Sequence, residues 1–202
     1  MVAGRSENGH PNRHIGLRPR DIGAMMTTMR PMADVQIAHV FECDEDTFWN
    51  RIFLDDSFNE RLYRQHLGFT GWSVLSRDET DTSIRRVVEA TPPVGDVPGP
   101  LKKILGGTIR YREEGDFDKK RRVYRVKVVP GSLADKLTIG GQVTCEAVAD
   151  KQCRRVFNAH VEARVFGVGG LLEKRIISDL QTSYDRAAHF TREHLATLRS
   201  GD

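Results

Sequence analysis

The sequence lacks any long hydrophobic run. A transmembrane helix needs about 20 consecutive apolar residues, and no stretch of the 202-residue chain approaches that length, since 29% of its residues are charged. The N-terminus also lacks the apolar segment of a secretory signal peptide. These absences predict a soluble protein that stays in the cytoplasm.

Cysteine is scarce, and the three cysteines present form no motif. Cys43, Cys145 and Cys153 make no CxxC pair and no metal-type cluster with neighbouring histidines. Their odd number and loose spacing predict free, buried thiols, which is typical of a reducing compartment. We expect no metal and no cofactor.

The body of the chain has no excess of either charge. The net charge of +3 belongs to residues 1–33, which hold five arginines and two acidic residues, whereas the remainder holds 26 basic and 26 acidic residues. Nucleic-acid binding needs a clustered basic excess, so we expect no nucleic-acid partner. We predict that residues 1–33 are a disordered basic tail. Two alternatives stay open: an arm that touches anionic lipid or a partner, and a later start of translation within its methionine cluster.

Apolar and polar residues alternate from residue 35 to residue 43, which predicts a first strand. Two short helices follow. Asp44 precedes the first, and Asp55, Asp56 and Ser57 offer N-cap side chains for the second, which ends at Gly68. Six alternating segments between residues 71 and 166, joined by short turns, predict antiparallel hairpins.

After Gly167, Gly169 and Gly170, which we interpret as a bend, the apolar period changes to 3.6 and predicts an amphipathic helix of about eight turns. This order of elements is that of an α+β, START-like helix-grip fold: one domain over residues 34–200. We expect a curved antiparallel sheet of about seven strands around the C-terminal helix, with an internal cavity between them.

Three stretches resemble a bacterial START-like family described as a domain of unknown function, within the SRPBCC or polyketide cyclase superfamily. They are ATPPVGDVPGPLKKILGGTIRYREEGDFD, SLADKLTIGG and VFGVGGLLEKRIISDLQTSYDRAAHFTREHL. The segment FLDDSFNERLYRQ, followed shortly by GW, also resembles the sterol-carrying VASt domain. The resemblance covers roughly residues 35–198. It implies the fold and a hydrophobic ligand, but no reaction and no catalytic residue.

One carboxylate falls on the apolar face of a predicted strand. Ile109, Tyr111 and Glu113 share a face, and the segment SIRRVVEA turns either Arg86 or Arg85 inward. Because a buried charge without a partner costs several kcal/mol, we expect Glu113 to lie close to Arg86, or failing that to Arg85. This pair is either a structural plug at one end of the cavity, a polar anchor for a ligand, or a site of general acid–base catalysis.

Other inward positions complete the candidate site. Trp72, Tyr111 and Tyr124 are interpreted either as lining or as core, and His39 as a structural histidine. The predicted ligand-binding residues are Trp72, Arg86, Ile109, Tyr111, Glu113, Val161, Leu180 and Tyr184.

The segment PPVGDVPGPLKKILGG interrupts the strand pattern and carries a short apolar patch flanked by lysines. We interpret it as a lid over the cavity or as a transient contact with an anionic membrane surface. A short helix packed on the sheet edge is the alternative. The residues concerned are Leu101, Lys102, Lys103, Ile104 and Leu105.

We therefore expect a protein that binds or transports a hydrophobic small molecule, either lipid, sterol-like or polyketide-like, rather than an enzyme. The first alternative is a polyketide cyclase or aromatase-like enzyme, in which Glu113, Arg86, His39 or Tyr111 would move protons. The second is a protein-interaction module whose cavity is filled by side chains.

Overall fold

A computed structural model describes residues 33–93, 95, 99, 101 and 109–200 of the chain. Within these residues, seven strands form one antiparallel sheet in the order β1-β7-β6-β5-β4-β3-β2. The strands are β1 (Ala33–Phe41), β2 (Gly71–Glu79), β3 (Ser83–Thr91), β4 (Tyr111–Asp118), β5 (Val123–Pro130), β6 (Leu137–Ala149) and β7 (Gln152–Ala163). The predicted meander is confirmed, and β1 joins it beside β7.

Two short helices connect β1 to β2, as the sequence predicts. They are α1 (Glu45–Thr47), which continues as π-helical turns over Phe48–Phe53, and α2 (Asp56–Glu60), which continues in the same way over Arg61–His66. Oδ1 of Asp44 accepts a hydrogen bond from the Thr47 amide at 2.7 Å, and Oδ1 of Asp55 accepts one from the Phe58 amide at 2.6 Å. Asp55 is therefore the N-cap among the three predicted candidates, and Asp44 also acts as an N-cap.

The long C-terminal helix is α3 (Gly169–Ser200), and it packs against β1 and β7. Gly167 has a φ of 77°, in the left-handed region that favours glycine, and it makes the turn into the helix. The prediction that Gly169 and Gly170 also belong to the bend is wrong, because both lie in the first turn of α3. No helix of the described residues is long and apolar enough to cross a membrane.

The core lies between the concave face of the sheet, the short helices and α3. Its centre is aromatic: Phe41, Phe48, Trp49, Phe58 and Tyr124 are almost completely buried. A smaller cluster near the start of α3 contains Leu101, Leu137, Ala163 and Leu172, and a third contains Trp72, Val88 and Ala90. Apart from Ala33, with which β1 begins, the predicted tail of residues 1–33 lies outside the described residues.

Gly141 on β6 lies where no side chain fits. A Cβ atom at this position would be 2.3 Å from the Asn158 carbonyl oxygen on β7 and 2.9 Å from the Phe157 ring. Real carbon atoms do not approach a carbonyl oxygen so closely, so β6 and β7 can keep their spacing at this position only with glycine.

We expect Gly141→Ala to lower the free energy of unfolding by about 2 kcal/mol more than Gly140→Ala, because overpacking moves backbone that the sheet holds in place. At Gly140 the nearest atom to an added Cβ is the Val126 carbonyl oxygen, at 3.0 Å. Both substitutions restrict the unfolded chain equally. The difference between their free energies of unfolding, measured in urea, therefore reports the clash of the new Cβ atom with β7 alone. Equal losses would contradict this explanation.

Candidate functional site

The sheet register turns Glu113 of β4 toward the core. Glu113 is opposite Val88 on β3 and Val128 on β5, and directly opposite residues of an antiparallel sheet share a face. Val88 is buried and belongs to the Trp72 cluster. A carboxylate therefore lies in the middle of an otherwise apolar surface.

Glu113 has two partners on that face. The Tyr124 hydroxyl donates a hydrogen bond to Glu113 Oε1 at 2.9 Å, and Arg86 Nη2 lies 4.0 Å from the same oxygen. The predicted proximity of Glu113 to Arg86 is thus confirmed. Arg85 faces outward, with 74% of its side chain exposed, and Arg85 Nε lies 3.1 Å from Asp116 Oδ2.

Arg86 also joins the sheet to the short helices. Only 5% of its side chain is exposed, and Nη1 lies 3.5 Å from Asp56 Oδ1 and 3.5 Å from the Phe53 carbonyl oxygen. The Arg86 guanidinium carbon also lies 5.7 Å from the centre of the Tyr124 ring. The sequence did not indicate Asp56 as a partner, because the two residues are far apart along the chain and no local pattern predicts that they meet.

Gly115 makes room for the Tyr124 side chain. A Cβ atom on Gly115 would lie 1.7 Å from the Tyr124 hydroxyl oxygen. Any side chain here would displace the phenol that donates to Glu113. A signal was present in the sequence, because Gly115 occupies an inward position of a strand that otherwise carries large residues there.

All four tyrosines of the chain belong to this interior. The Tyr63 ring stacks on the Trp72 ring at 5.6 Å, and the Tyr184 ring of α3 stacks on the Phe157 ring at 4.7 Å. Tyr111 packs in the Trp72 cluster beside Tyr63. Burial raises the pKa of Tyr63, Tyr111 and Tyr184, and the negative charge of Glu113 raises it further. These phenols are neutral hydrogen-bond donors at pH 7.

Three of the four phenol hydroxyls have no hydrogen bond within the described part of the chain. Tyr124 donates to Glu113, whereas the hydroxyls of Tyr63, Tyr111 and Tyr184 bond to no described protein group. All three tyrosines are half-buried, and their hydroxyls are not among the fully buried polar atoms that lack a partner. Each hydroxyl is therefore accessible to a polar atom that does not belong to the protein, either of solvent or of a ligand.

The structure brings several of the predicted ligand-binding residues together. Arg86 meets Glu113, Trp72 shares a cluster with Tyr111, and half-buried Leu180 and Tyr184 of α3 pack against the aromatic core. Ile109 precedes β4 and is half-buried, whereas Val161 has no exposed surface. As ligand contacts, all eight residues stay predictions.

Of the predicted lid or membrane-contact residues, only Leu101 is described. Its side chain has no exposed surface and belongs to the cluster of Leu137, Ala163 and Leu172. Lys102, Lys103, Ile104 and Leu105 lie outside the described residues. The role of this loop as a lid or membrane contact stays a prediction.

Arg155 is an inward-facing charge that the sequence analysis missed. It lies on β7 directly opposite His39 of β1, and its Nη2 donates a 2.7 Å hydrogen bond to His39 Nδ1. His39 Nε2 donates in turn to Asp185 Oδ1 of α3 at 2.8 Å. Burial lowers the pKa of His39, and the positive charge of Arg155 lowers it further. A neutral imidazole with both nitrogens bonded confirms the predicted structural histidine.

The cysteines cluster in the core, and all three are free and buried. Cys43 Sγ lies 3.8 Å from Cys153 Sγ. A hydrogen bond with Cys145 raises the pKa of Cys153 to about 12, which keeps this thiol protonated and unreactive. Within the described residues, no three His, Cys, Asp or Glu side chains form a group that could hold a metal ion.

We expect Tyr124→Phe to lower the free energy of unfolding by about 2 kcal/mol, because it removes a hydrogen bond to a carboxylate that is largely buried. Tyr63→Phe is the matched control, since the Tyr63 hydroxyl has no described protein partner and its removal costs little. Both values come from urea unfolding. If the two variants lose the same stability, the Tyr124 bond does not hold Glu113.

We also expect His39 to make stability depend on pH. Because the pKa of His39 is lowered in the folded state from its ordinary value of 6.5, the unfolded chain binds a proton more readily. The stability that wild type gains over His39→Gln is therefore fully present above pH 6.5 and decreases as the pH falls below it. Urea unfolding between pH 5 and pH 8 measures this difference, and a constant difference would contradict the assignment.

Comparison with known structures identifies the fold. The similar structures include TTHA0849 from Thermus thermophilus (TM-score 0.58, 14% identity, 82% of this chain and 99% of that chain). The Zhui aromatase/cyclase from Streptomyces sp. R1128 gives a TM-score of 0.58 at 12% identity, over 81% of this chain and 93% of that chain. A START superfamily protein from Mycobacterium smegmatis gives 0.52 at 11% identity, over 82% and 99%. These likenesses confirm the START-like helix-grip fold.

Comparison by sequence gives the family. No curated protein matches the chain, and the resemblance to the VASt domain stays a prediction. Residues 36–195 match the model of a family described as "Protein of unknown function (DUF2505)". That match spans most of the chain, from within β1 through the other six strands to nearly the end of α3, and the chain therefore belongs to this family.

Proposed function

We propose that the protein binds a hydrophobic small molecule with at least one hydroxyl or carbonyl group, held between the inner face of the sheet and α3. The observation that carries this proposal is the set of unpartnered hydroxyls on Tyr63, Tyr111 and Tyr184, which sit among aromatic rings near Glu113. Ligand pockets typically combine apolar walls with a few polar groups that set the orientation of the ligand.

The walls would supply most of the affinity. The stacked pairs Tyr63–Trp72 and Phe157–Tyr184 present aromatic surface from two sides of the interior. Apolar surface removed from water contributes about 25 cal/mol per Å², so a ligand that covers both pairs gains affinity without any specific polar contact. The tyrosine hydroxyls would then select for molecules that satisfy them.

Incomplete packing around Glu113 supports a ligand rather than a filled interior. On the inward positions of β4, β5 and β6, Tyr111, Val126, Val128 and Ile139 each keep accessible surface, although they face the core side of the sheet. Well-packed interiors leave few such gaps. This observation counts against a module whose cavity is filled by side chains.

The polar contacts favour binding over catalysis. Glu113 accepts from Tyr124 and lies beside Arg86, and both nitrogens of His39 are hydrogen-bonded. A general acid or base must exchange its proton with the substrate, which a side chain with fixed protein partners does poorly. The likeness to an aromatase/cyclase supports a hydrophobic ligand, of lipid, sterol-like or polyketide-like character, and does not extend to the reaction.

We expect Val128→Trp to weaken binding of the neutral fluorophore N-phenyl-1-naphthylamine by about ten-fold or more, since the indole would occupy the space beside Glu113. Val129→Trp is the matched control, because the next residue of β5 points to the opposite face of the sheet. Fluorescence titration gives both affinities, and circular dichroism confirms folding. Equal affinities for the two variants would place the fluorophore elsewhere.

Native mass spectrometry of protein purified from its own host, followed by organic extraction, identifies the ligand class directly. A stoichiometric hydrophobic molecule released from the protein is the expected result. Protein that arrives empty, and stays empty when offered a panel of lipids, sterols and aromatic polyketides, would contradict the proposed function.

A further inference from the structure

Two arginines are buried on the inner face of the sheet, and their surroundings differ. Arg86 lies beside two carboxylates, with Glu113 Oε1 at 4.0 Å and Asp56 Oδ1 at 3.5 Å. Arg155 is buried to the same degree, with 6% of the residue exposed, yet no carboxylate of the described residues lies within 4.0 Å of it. The positive charge of Arg86 is therefore balanced by nearby carboxylates, whereas that of Arg155 is not.

The contacts of Arg155 are aromatic and neutral. Its guanidinium carbon lies 5.4 Å from the centre of the Phe41 ring and 4.6 Å from that of Tyr184. Its one hydrogen bond within the described structure goes to the neutral imidazole of His39. Among the described residues, the buried Nε atoms of Arg155 and Arg86 both lack a partner, so the two arginines differ in the carboxylates that lie beside Arg86. Asp185, the nearest acidic group in this chain of contacts, bonds to His39 instead.

A second cation adds to the local positive charge. The guanidinium carbon of Arg192 on α3 lies 5.7 Å from the centre of the Phe41 ring, which Arg155 also contacts. Contacts between a cation and an aromatic ring contribute about 0.5 to 2 kcal/mol each. The cost of burying an unpaired ion is several kcal/mol, so these contacts leave a net penalty that an anion would remove.

Arg155 borders the same interior as the unpartnered phenols. Tyr184, which stacks against the Arg155 guanidinium, is one of the three tyrosines without a described hydroxyl partner. Tyr63 is close enough to both Glu113 and Arg155 for each charge to act on its hydroxyl. A single ligand could therefore reach the phenols and the guanidinium together.

We propose that Arg155 binds an anionic group of the ligand, and that the ligand is an amphipathic carboxylic acid whose apolar body lies between the sheet and α3. This inference rests on the proposed function and specifies its ligand class. The guanidinium offers planar donors that match a carboxylate, and burial strengthens such a charge-assisted bond. The hydroxyls of the ligand, or its carbonyl groups, would meet the phenols near Glu113.

The test compares two competitors that differ only in the head group. N-phenyl-1-naphthylamine is bound to the wild-type protein at pH 8 and displaced with decanoate or with decan-1-ol. We expect decanoate to displace it at a concentration about ten-fold lower than decan-1-ol does, which corresponds to one charge-assisted bond. In Arg155→Met, which keeps an apolar side chain of similar reach, this preference is lost while decan-1-ol binds as before.

Arg125→Met is the matched control. Arg125 is an exposed arginine on the outer face of β5, so its replacement removes the same charge and leaves the preference for decanoate intact. If Arg155→Met fails to fold, a measurement on the wild-type complex replaces it. The carbon-13 signal of carboxyl-labelled decanoate then shows a bound carboxyl group that stays ionised to lower pH than free decanoate.

The outcomes separate the two proposals. Equal displacement by decanoate and decan-1-ol, with an unshifted carboxyl titration, would overturn the role of Arg155 and leave the proposed function standing. A fluorophore that does not bind, or that neither competitor displaces from the interior, would overturn both. A preference for decanoate that persists in folded Arg155→Met would also overturn the role of Arg155.

Discussion

The contact between Glu113, Arg86 and Tyr124 is the interaction on which the interior depends. It places a carboxylate, a guanidinium and a phenol on the core side of a sheet, where removing one of the two charged groups would leave the other as an unpaired buried charge, at a cost of about 3 to 5 kcal/mol. Arg86 extends the contact to Asp56 on α2, and Gly115 provides the space that the Tyr124 ring occupies. Strands and short helices are thus joined through polar groups, while the surrounding aromatic core supplies the apolar contacts.

Because these charges satisfy one another, they stabilise structure and leave little capacity for chemistry. The polar groups that keep free donors lie around them: the hydroxyls of three half-buried tyrosines, which bond to no described protein group, and Nε of Arg155. Because polar groups in native interiors nearly always have a partner, we expect a ligand or solvent to complete these donors. The interior therefore has two parts. The cluster of Glu113, Arg86 and Tyr124 stabilises the fold, and the polar groups that keep free donors are available to bind a ligand.

Much of the fold follows from local pattern. A period of two predicts each strand and turns Glu113 inward together with Arg86 or, in the other phase, Arg85. Because an unpaired buried charge costs several kcal/mol, the pattern then predicts that Glu113 lies close to that arginine. Long-range pairing carries no such local signal. The position of His39 opposite Arg155 depends on β1 joining β7, more than 100 residues away along the chain. The sequence did carry a local signal for Arg155: in the alternating pattern of β7 it falls on the same face as the apolar residue Phe157, which predicts that it points inward.

The same pairing has a consequence for synthesis. Of the described strands, β1 is the first to leave the ribosome, yet its only neighbour among them is β7, the last one made. Until residues beyond 163 emerge, Phe41 and the aromatic residues of the short helices lack the wall that covers them. Non-local pairing of this kind slows folding and lengthens the exposure of apolar surface. From the synthesis of β1 to that of β7, the nascent domain therefore needs protection from aggregation, and it closes only when α3 is nearly complete.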